Sequence, residues 1–357
     1  MDLDQVRSRR KEQRLKRLSQ KAQLDPKQVL ASKEYWHPDF CRRFFDFCAV
    51  SAFRDPRGAI ALASLGTRLA ARTSEPKTLS HAFGVLGSAH RLFGQVKKSE
   101  RCFEIAATYA QDDVYCLADI TRRLIPLRVL QSRFDDAFEL ATEAIKLYKV
   151  AGKQDGVGRG MLYRGILLLK ANHLSDALAD FYSALELLSP SDSEIYYTAS
   201  LYNITLALAK GSNQHVAAAL AHLSKLKKSF KGQPGIHLIR LKLRWVEGLL
   251  YLRQGHYLRG RRRLESVKEG LLKLGLPLEV AAITADLATA YHPNFRGIQR
   301  VAETAVRRQP FEPAISDLFQ KVMAAAKAER DSVLEHLAAI RQAVAHPSFP
   351  AFVPCAQ

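Results

Sequence analysis

Acidic residues are scarce in this chain. Asp and Glu total 35 against 54 Lys and Arg, a formal net charge of +19 over 357 residues. Such a surface attracts anions, whether nucleic acid, acidic proteins or acidic membrane surfaces, and charge alone does not choose among them. Cysteine is scarce too: Cys41, Cys48, Cys102, Cys116 and Cys355. None sits in a CxxC pair or at zinc-finger spacing from histidine, which excludes the common zinc motifs. An odd, scattered set fits a reducing compartment. Long apolar runs are missing: stretches such as Ile166–Leu169 fall far short of the roughly 20 residues a membrane span needs. The N-terminus is charged from Asp2 onward and carries no signal-type apolar segment. These absences lead us to expect a soluble, cytoplasmic protein.

Chemistry is missing as well. No HExxH, GxSxG, GxxxxGK or GxGxxG occurs, so the usual metalloprotease, hydrolase, nucleotide and dinucleotide signatures are excluded. We expect no catalytic set, no metal site and no cofactor, and read the chain as a non-enzyme. The glycine-rich stretch 156–160 has no strand before it and reads as a loop. Alternating β-branched patterns do not appear, so helices should dominate. Hydrophobic residues at 47% and charged residues at 25% describe an ordinary folded protein.

What the chain does have is repetition. Phe83-x-x-Leu86-Gly87-x-x-His90 is followed by Gly94, Val96, Ser99, Phe103 and Ala106. The pattern returns at Leu124, Ser132, Phe134, Ala137, Ala141 and Ala144, and again at Gly165, Leu168, Asn172, Leu174, Ala177, Phe181 and Ala184. A weaker copy runs through Ile204, Leu208, Ser212, Ala217 and Ala221. Another has Gly248, Tyr251, Gly255, Tyr257, Gly260, Leu264 and Val267. Degenerate copies flank these, upstream at Phe47, Pro56, Ala59, Ala63 and Gly66, downstream at Leu287, Ala288 and Tyr291. The step is about 40 residues, longer than the roughly 34 of a minimal two-helix repeat. Small residues at fixed positions let two helices approach; bulky ones between them fill the gaps. One such unit cannot bury its apolar face alone, so several must stack.

The pattern resembles the tetratricopeptide repeat, in its bacterial long-repeat form. The resemblance implies an all-α fold: a right-handed superhelical α-solenoid of helix pairs whose first helices line a concave, partner-binding groove. Arg164 and Glu247 stand where the family carries leucine, and Pro126 falls inside a first helix, where a kink is expected. The divisions expected are a basic, weakly packed arm at 1–33, the repeat array at 34–307, capping helices at 308–344 and an irregular tail at 345–357.

The implied function is protein–protein recognition by an adaptor or regulatory subunit that takes an acidic peptide, tail or helix. Groove residues by this alignment are Arg122, Arg159, Tyr202, Asn203, Lys242, Trp245 and Arg253. The alternative is a nucleic-acid-associated regulator. It would use the strongest charge asymmetry in the chain, between 225 and 273, with Lys225, Lys227, Lys228, Arg259, Arg261, Arg262 and Arg263 as its patch, together with the arm. Counterion release and bidentate arginine contacts are the chemistry such a patch offers. The aromatic cluster Tyr35, Trp36, Phe40, Phe44, Phe45 and Phe47, with Cys41 and Cys48 seven apart on one helix face, reads as core.

Overall fold

A computed structural model describes residues 25–51, 56–110, 113–190, 194–211, 215–229, 237–274 and 276–343. Every regular element among them is helical. A short helix α1 (Pro26–Ala31) and a 3-10 turn (Lys33–Tyr35) come first. Eight helix pairs follow: α2 (Pro38–Ser51) with α3 (Pro56–Ala70), α4 (Pro76–Leu92) with α5 (Val96–Tyr109), α6 (Val114–Leu130) with α7 (Phe134–Val150), α8 (Gln154–Lys170) with α9 (Leu174–Leu187), α10 (Glu194–Lys210) with α11 (Val216–Ser229), α12 (His237–Arg253) with α13 (Tyr257–Lys273), α14 (Pro277–Thr289) with α15 (Phe295–Arg308), and α16 (Pro313–Lys327) with α17 (Ser332–Ala343).

The turn inside a pair has a common geometry. Gly94, Ser132, Asn172 and Gly255 all have left-handed backbones, with φ of 73°, 59°, 65° and 79°. A left-handed residue just past a helix satisfies its last carbonyls and reverses the chain. Asn172 and Ser132 accept this conformation at more cost than glycine.

The packing rule inside the pairs is size complementarity. A β-carbon on Gly87 would lie 2.9 Å from the Phe103 ring, and one on Gly248 would lie 2.7 Å from Leu264. Both glycines are the twelfth residue of a first helix, and both partners the eighth residue of a second. The α6/α7 pair inverts the sizes: Ile125 holds the first position and Ala141 the second, both buried.

Two sequence expectations change. Residues 156–160 are not a loop but the first turns of α8. Their glycines serve contact: β-carbons at Gly156 and Gly160 would strike Tyr148 and Ile145 of α7 at 2.2 and 2.7 Å. Ala217 and Ala221 are exposed; Ala219, Leu223 and Leu226 hold the buried positions of α11. α6 runs through Pro126, which offers no N–H to the Arg122 carbonyl.

The contacts divide the chain into two compact units, one up to Arg164 and one from Gly165. The first core gathers Cys41, Phe44, Phe45 and Cys48 with Leu62, Leu69, Val85 and Cys102, Trp36 and Phe40 packing against it. The cysteines there are core residues, and burial pushes the Cys41 thiol up to about 11. The second core runs from Leu241 and Trp245 through Ile283 and Phe319 to Ile340. Residues 1–24 of the expected arm and the tail at 345–357 lie outside the described residues.

Candidate interaction surfaces

Neighbouring first helices touch one another: α2 with α4 and α4 with α6 in the first unit, α10 with α12 in the second. Side chains on these faces therefore divide into those caught between helices and those left at the surface.

In the first unit the face is underpinned by buried charge. The sequence Asp119-x-x-Arg122-Arg123 puts two guanidiniums one turn from one carboxylate. Arg122 is 0% exposed and Arg123 nearly so. Arg123 Nε donates to Asp119 Oδ2 at 2.6 Å, and Arg122 Nη2 pairs with Oδ1. Arg122 Nε donates to the Tyr148 hydroxyl at 3.2 Å, which donates on to Asp119 at 3.2 Å. Arg122 also lies over the Tyr163 ring, 5.8 Å from its centroid. Burial alone would raise the Asp119 pKa; Arg123 and then Arg122 hold it well below the usual carboxylate range. His81 on α4 is pushed down to about 4 by burial and then by Arg123. Its Nε2 is buried and has no hydrogen-bond partner among the described residues.

Above this network the surface opens. Tyr115 is 39% exposed; its ring meets Tyr148 edge-on at 6.0 Å, and Lys153 Nζ sits 5.7 Å from its centroid. Arg159, half-buried on α8, bonds Asp155 at 2.8 Å. Tyr115, Lys153 and Arg159 thus gather at the N-terminal ends of α6 and α8. Arg122 is not on that surface: it lies beneath it, in the network that fixes Tyr148.

In the second unit most expected groove residues are inside the packing. Asn203 is 0% exposed and donates to the Ala199 carbonyl at 2.9 Å. Tyr202 and Lys242 are buried. Trp245 is 3% exposed, its indole N–H donating to Asp286 Oδ2 at 2.7 Å. Arg341 Nε holds the other oxygen of that carboxylate at 2.7 Å. Arg253 is exposed as a residue, but its guanidinium donates to the Ala209 carbonyl. The alignment placed these residues on the first helices; it had no signal for how deeply the neighbouring helices cover them.

The basic run on α13 is also divided. Arg263 Nε pairs with Glu247 Oε2 at 3.0 Å, and Lys227 Nζ of α11 reaches the same carboxylate at 2.5 Å. Glu247, in a position where a leucine would pack, is thereby a buried ionic tie between α11, α12 and α13. Arg261 Nε donates to the Ala290 carbonyl at 2.9 Å and lies over Tyr291, 4.4 Å from the ring centroid. Arg259, Arg262, Lys225 and Lys228 point outward and are exposed. The sequence run did not reveal this split, because alternate helix faces interleave within Arg261–Arg263.

Among the described residues no three His, Cys, Asp or Glu side chains gather as a metal set, and no helix is long and apolar enough to cross a membrane. These features define a class: an all-helical repeat protein of consecutively packed helix pairs. The crystal structure of the apo form of RapI has a similar fold, with a TM-score of 0.54 at 14% identity over 80% of this chain and 97% of that one. BtubC (BKLC) from P. vanneervenii aligns over 77% and 92% at 16% identity, but its TM-score of 0.33 is too low to indicate a shared fold. The sequence matches no family description and no curated protein.

Proposed function

We propose that the chain is a non-enzymatic, cytoplasmic interaction scaffold, an adaptor or regulatory subunit, that holds an acidic peptide or helix on the first-helix face of its first unit. The observation that carries this reading is the exposed Tyr115, with Lys153 and Arg159, standing on the buried Asp119–Arg122–Arg123–Tyr148 network. Tyrosine and arginine are the residue types that anchor interfaces. A support locked by charge-assisted bonds limits the ordering cost of binding. Lys153 and Arg159 supply the cations that an acidic segment needs.

The test is capture of a defined partner from the native host, after nuclease treatment, by the parent chain and by a Tyr115→Ala/Arg159→Glu variant. The variant should lose the partner while its helical signal and unfolding midpoint stay within error of the parent. Equal capture by both chains rejects this face.

A further inference from the structure

The second helices α11, α13 and α15 carry thirteen Lys and Arg against three Glu: Glu265, Glu269 and Glu303. Each of those glutamates is already engaged. Glu265 accepts from the Tyr291 hydroxyl at 3.0 Å, Glu269 takes both nitrogens of Arg308, and Glu303 accepts from Gln299 at 2.7 Å. The Glu269–Arg308 pair ties α13 to α15, as Lys227–Glu247–Arg263 ties α11 to α13 through α12. Glu247 and Glu269 are therefore spent on ion pairs between helices, which leaves Glu265 and Glu303 as the acidic charges of these three helices without a cation partner among the described ion pairs. Eight exposed cations remain with no ion-pair partner among the described residues: Lys225 and Lys228 on α11, Arg259, Arg262 and Lys273 on α13, and Arg296, Arg300 and Arg307 on α15. Three of them lie on α15, outside the run that the sequence marks as basic.

We infer that this face binds the phosphate backbone of nucleic acid, without reading its sequence. The face belongs to the second unit and to second helices, so the inference is independent of the scaffold reading. Two features favour phosphates over an acidic protein. The cations are spread over three successive second helices linked by the Glu247 and Glu269 ion pairs, which suits a repeating line of charges. A protein interface needs a buried apolar or aromatic anchor. Among described residues of α11 and α15 no large hydrophobic side chain is exposed, and on α13 the exposed pair Tyr257 and Leu258 sits at one end. The charge is also local: α7 of the first unit carries Asp135, Asp136, Glu139 and Glu143.

The experiment is fluorescence anisotropy of a labelled duplex DNA of arbitrary sequence, titrated with the full chain over a range of salt. If five of the eight cations meet phosphates, log K should fall against log salt with a slope of about −4.5. Arg259→Glu/Arg262→Glu/Arg300→Glu should flatten that slope by about 3 and weaken binding roughly a hundredfold at low salt. Lys97→Glu/Lys98→Glu/Arg101→Glu, an equal charge change on exposed α5 residues, should leave both close to the parent. Circular dichroism confirms that each variant is folded; if the glutamate triple is not, the glutamine triple is read in its place, with a smaller loss in the same direction. No retention of the duplex at low salt, an equal loss in the α5 variant, or displacement by poly-glutamate as readily as by unlabelled duplex would each overturn the inference. The last would mark the face as one for acidic proteins.

Discussion

Gly165 of α8 and Phe181 of α9 stand so close that a β-carbon on the glycine would lie 2.7 Å from Cε1 of the ring. Gly87 with Phe103 and Gly248 with Leu264 repeat the relationship. A side chain at Gly165 must displace a fully buried phenylalanine, so the contact overrides the gain in helix propensity that replacing glycine normally brings. Gly165→Val should destabilise the protein by about 1–3 kcal/mol, the cost of overpacking. Adding Phe181→Leu should recover part of that loss, since the smaller side chain vacates the space. Urea unfolding followed by helical circular dichroism gives both numbers. A Gly165→Val chain as stable as the parent would mean the two helices are not in contact here.

That contact was legible in the sequence, because small and bulky residues recur at fixed spacing in weakly similar repeats. The turn positions Gly94, Ser132, Asn172 and Gly255 were legible for the same reason. The register of α11 was not. Val216-Ala217-Ala218-Ala219-Leu220-Ala221 is apolar on every side of a helix, so the pattern fits more than one rotation. The glycines at 156, 158 and 160 suggested a loop because glycine is costly in a helix; the contacts with Tyr148 and Ile145 that justify Gly156 and Gly160 come from a separate helix. The interaction surfaces were least legible. Asp119-x-x-Arg122-Arg123 spells out a charge pair one turn apart, but exposed and buried versions of it look identical in sequence.

Asp119 balances two buried guanidiniums, so its loss should be among the most damaging single changes in the first unit. Asp119→Asn preserves shape and removes the charge, leaving Arg122 and Arg123 buried without it. The expected cost is about 3–5 kcal/mol. The pH dependence has a definite sign. The folded pKa of Asp119 lies below its ordinary value, so its contribution is present above the usual carboxylate range and is lost as pH falls through and below it. Thermal midpoints of the parent and Asp119→Asn should therefore converge as the solution is acidified. Parallel midpoint curves would show that the carboxylate is not what the arginines depend on.

His81 should impose a second, higher pH limit. Its pKa is pushed from 6.5 to about 4, so the folded protein favours the neutral ring. Between these values the unfolded chain binds the proton and the folded chain does not. The His81 contribution is thus complete above about 6.5 and declines as pH falls toward 4. Phe45 stacks on the ring at 5.4 Å, so an aromatic replacement suits the site. His81→Phe should flatten the stability profile across this window while leaving the steeper acid loss from Asp119. A profile unchanged by the substitution would place the titrating group elsewhere.

Trp245 reports on the second unit through its bond to Asp286. Its indole N–H donates to Asp286 at 2.7 Å, and Arg341 of α17 holds the other oxygen. Asp286→Ala strands a buried donor, which costs about 1–3 kcal/mol. Arg341→Ala should cost less, because that side chain is 41% exposed and water replaces its partner. The chain has two tryptophans, so a Trp36→Phe background leaves Trp245 as the fluorescent reporter. In that background Asp286→Ala should change the native emission as well as the unfolding midpoint, whereas Arg341→Ala should change the emission little. Adding Trp245→Phe to Asp286→Ala, with helical circular dichroism as the readout, completes a double-mutant cycle. A coupling of about 1 kcal/mol or more is expected between groups in direct contact. Additive losses would mean that the indole and the carboxylate stabilise the fold independently, and that the link from α12 through α14 to α17 carries no shared energy.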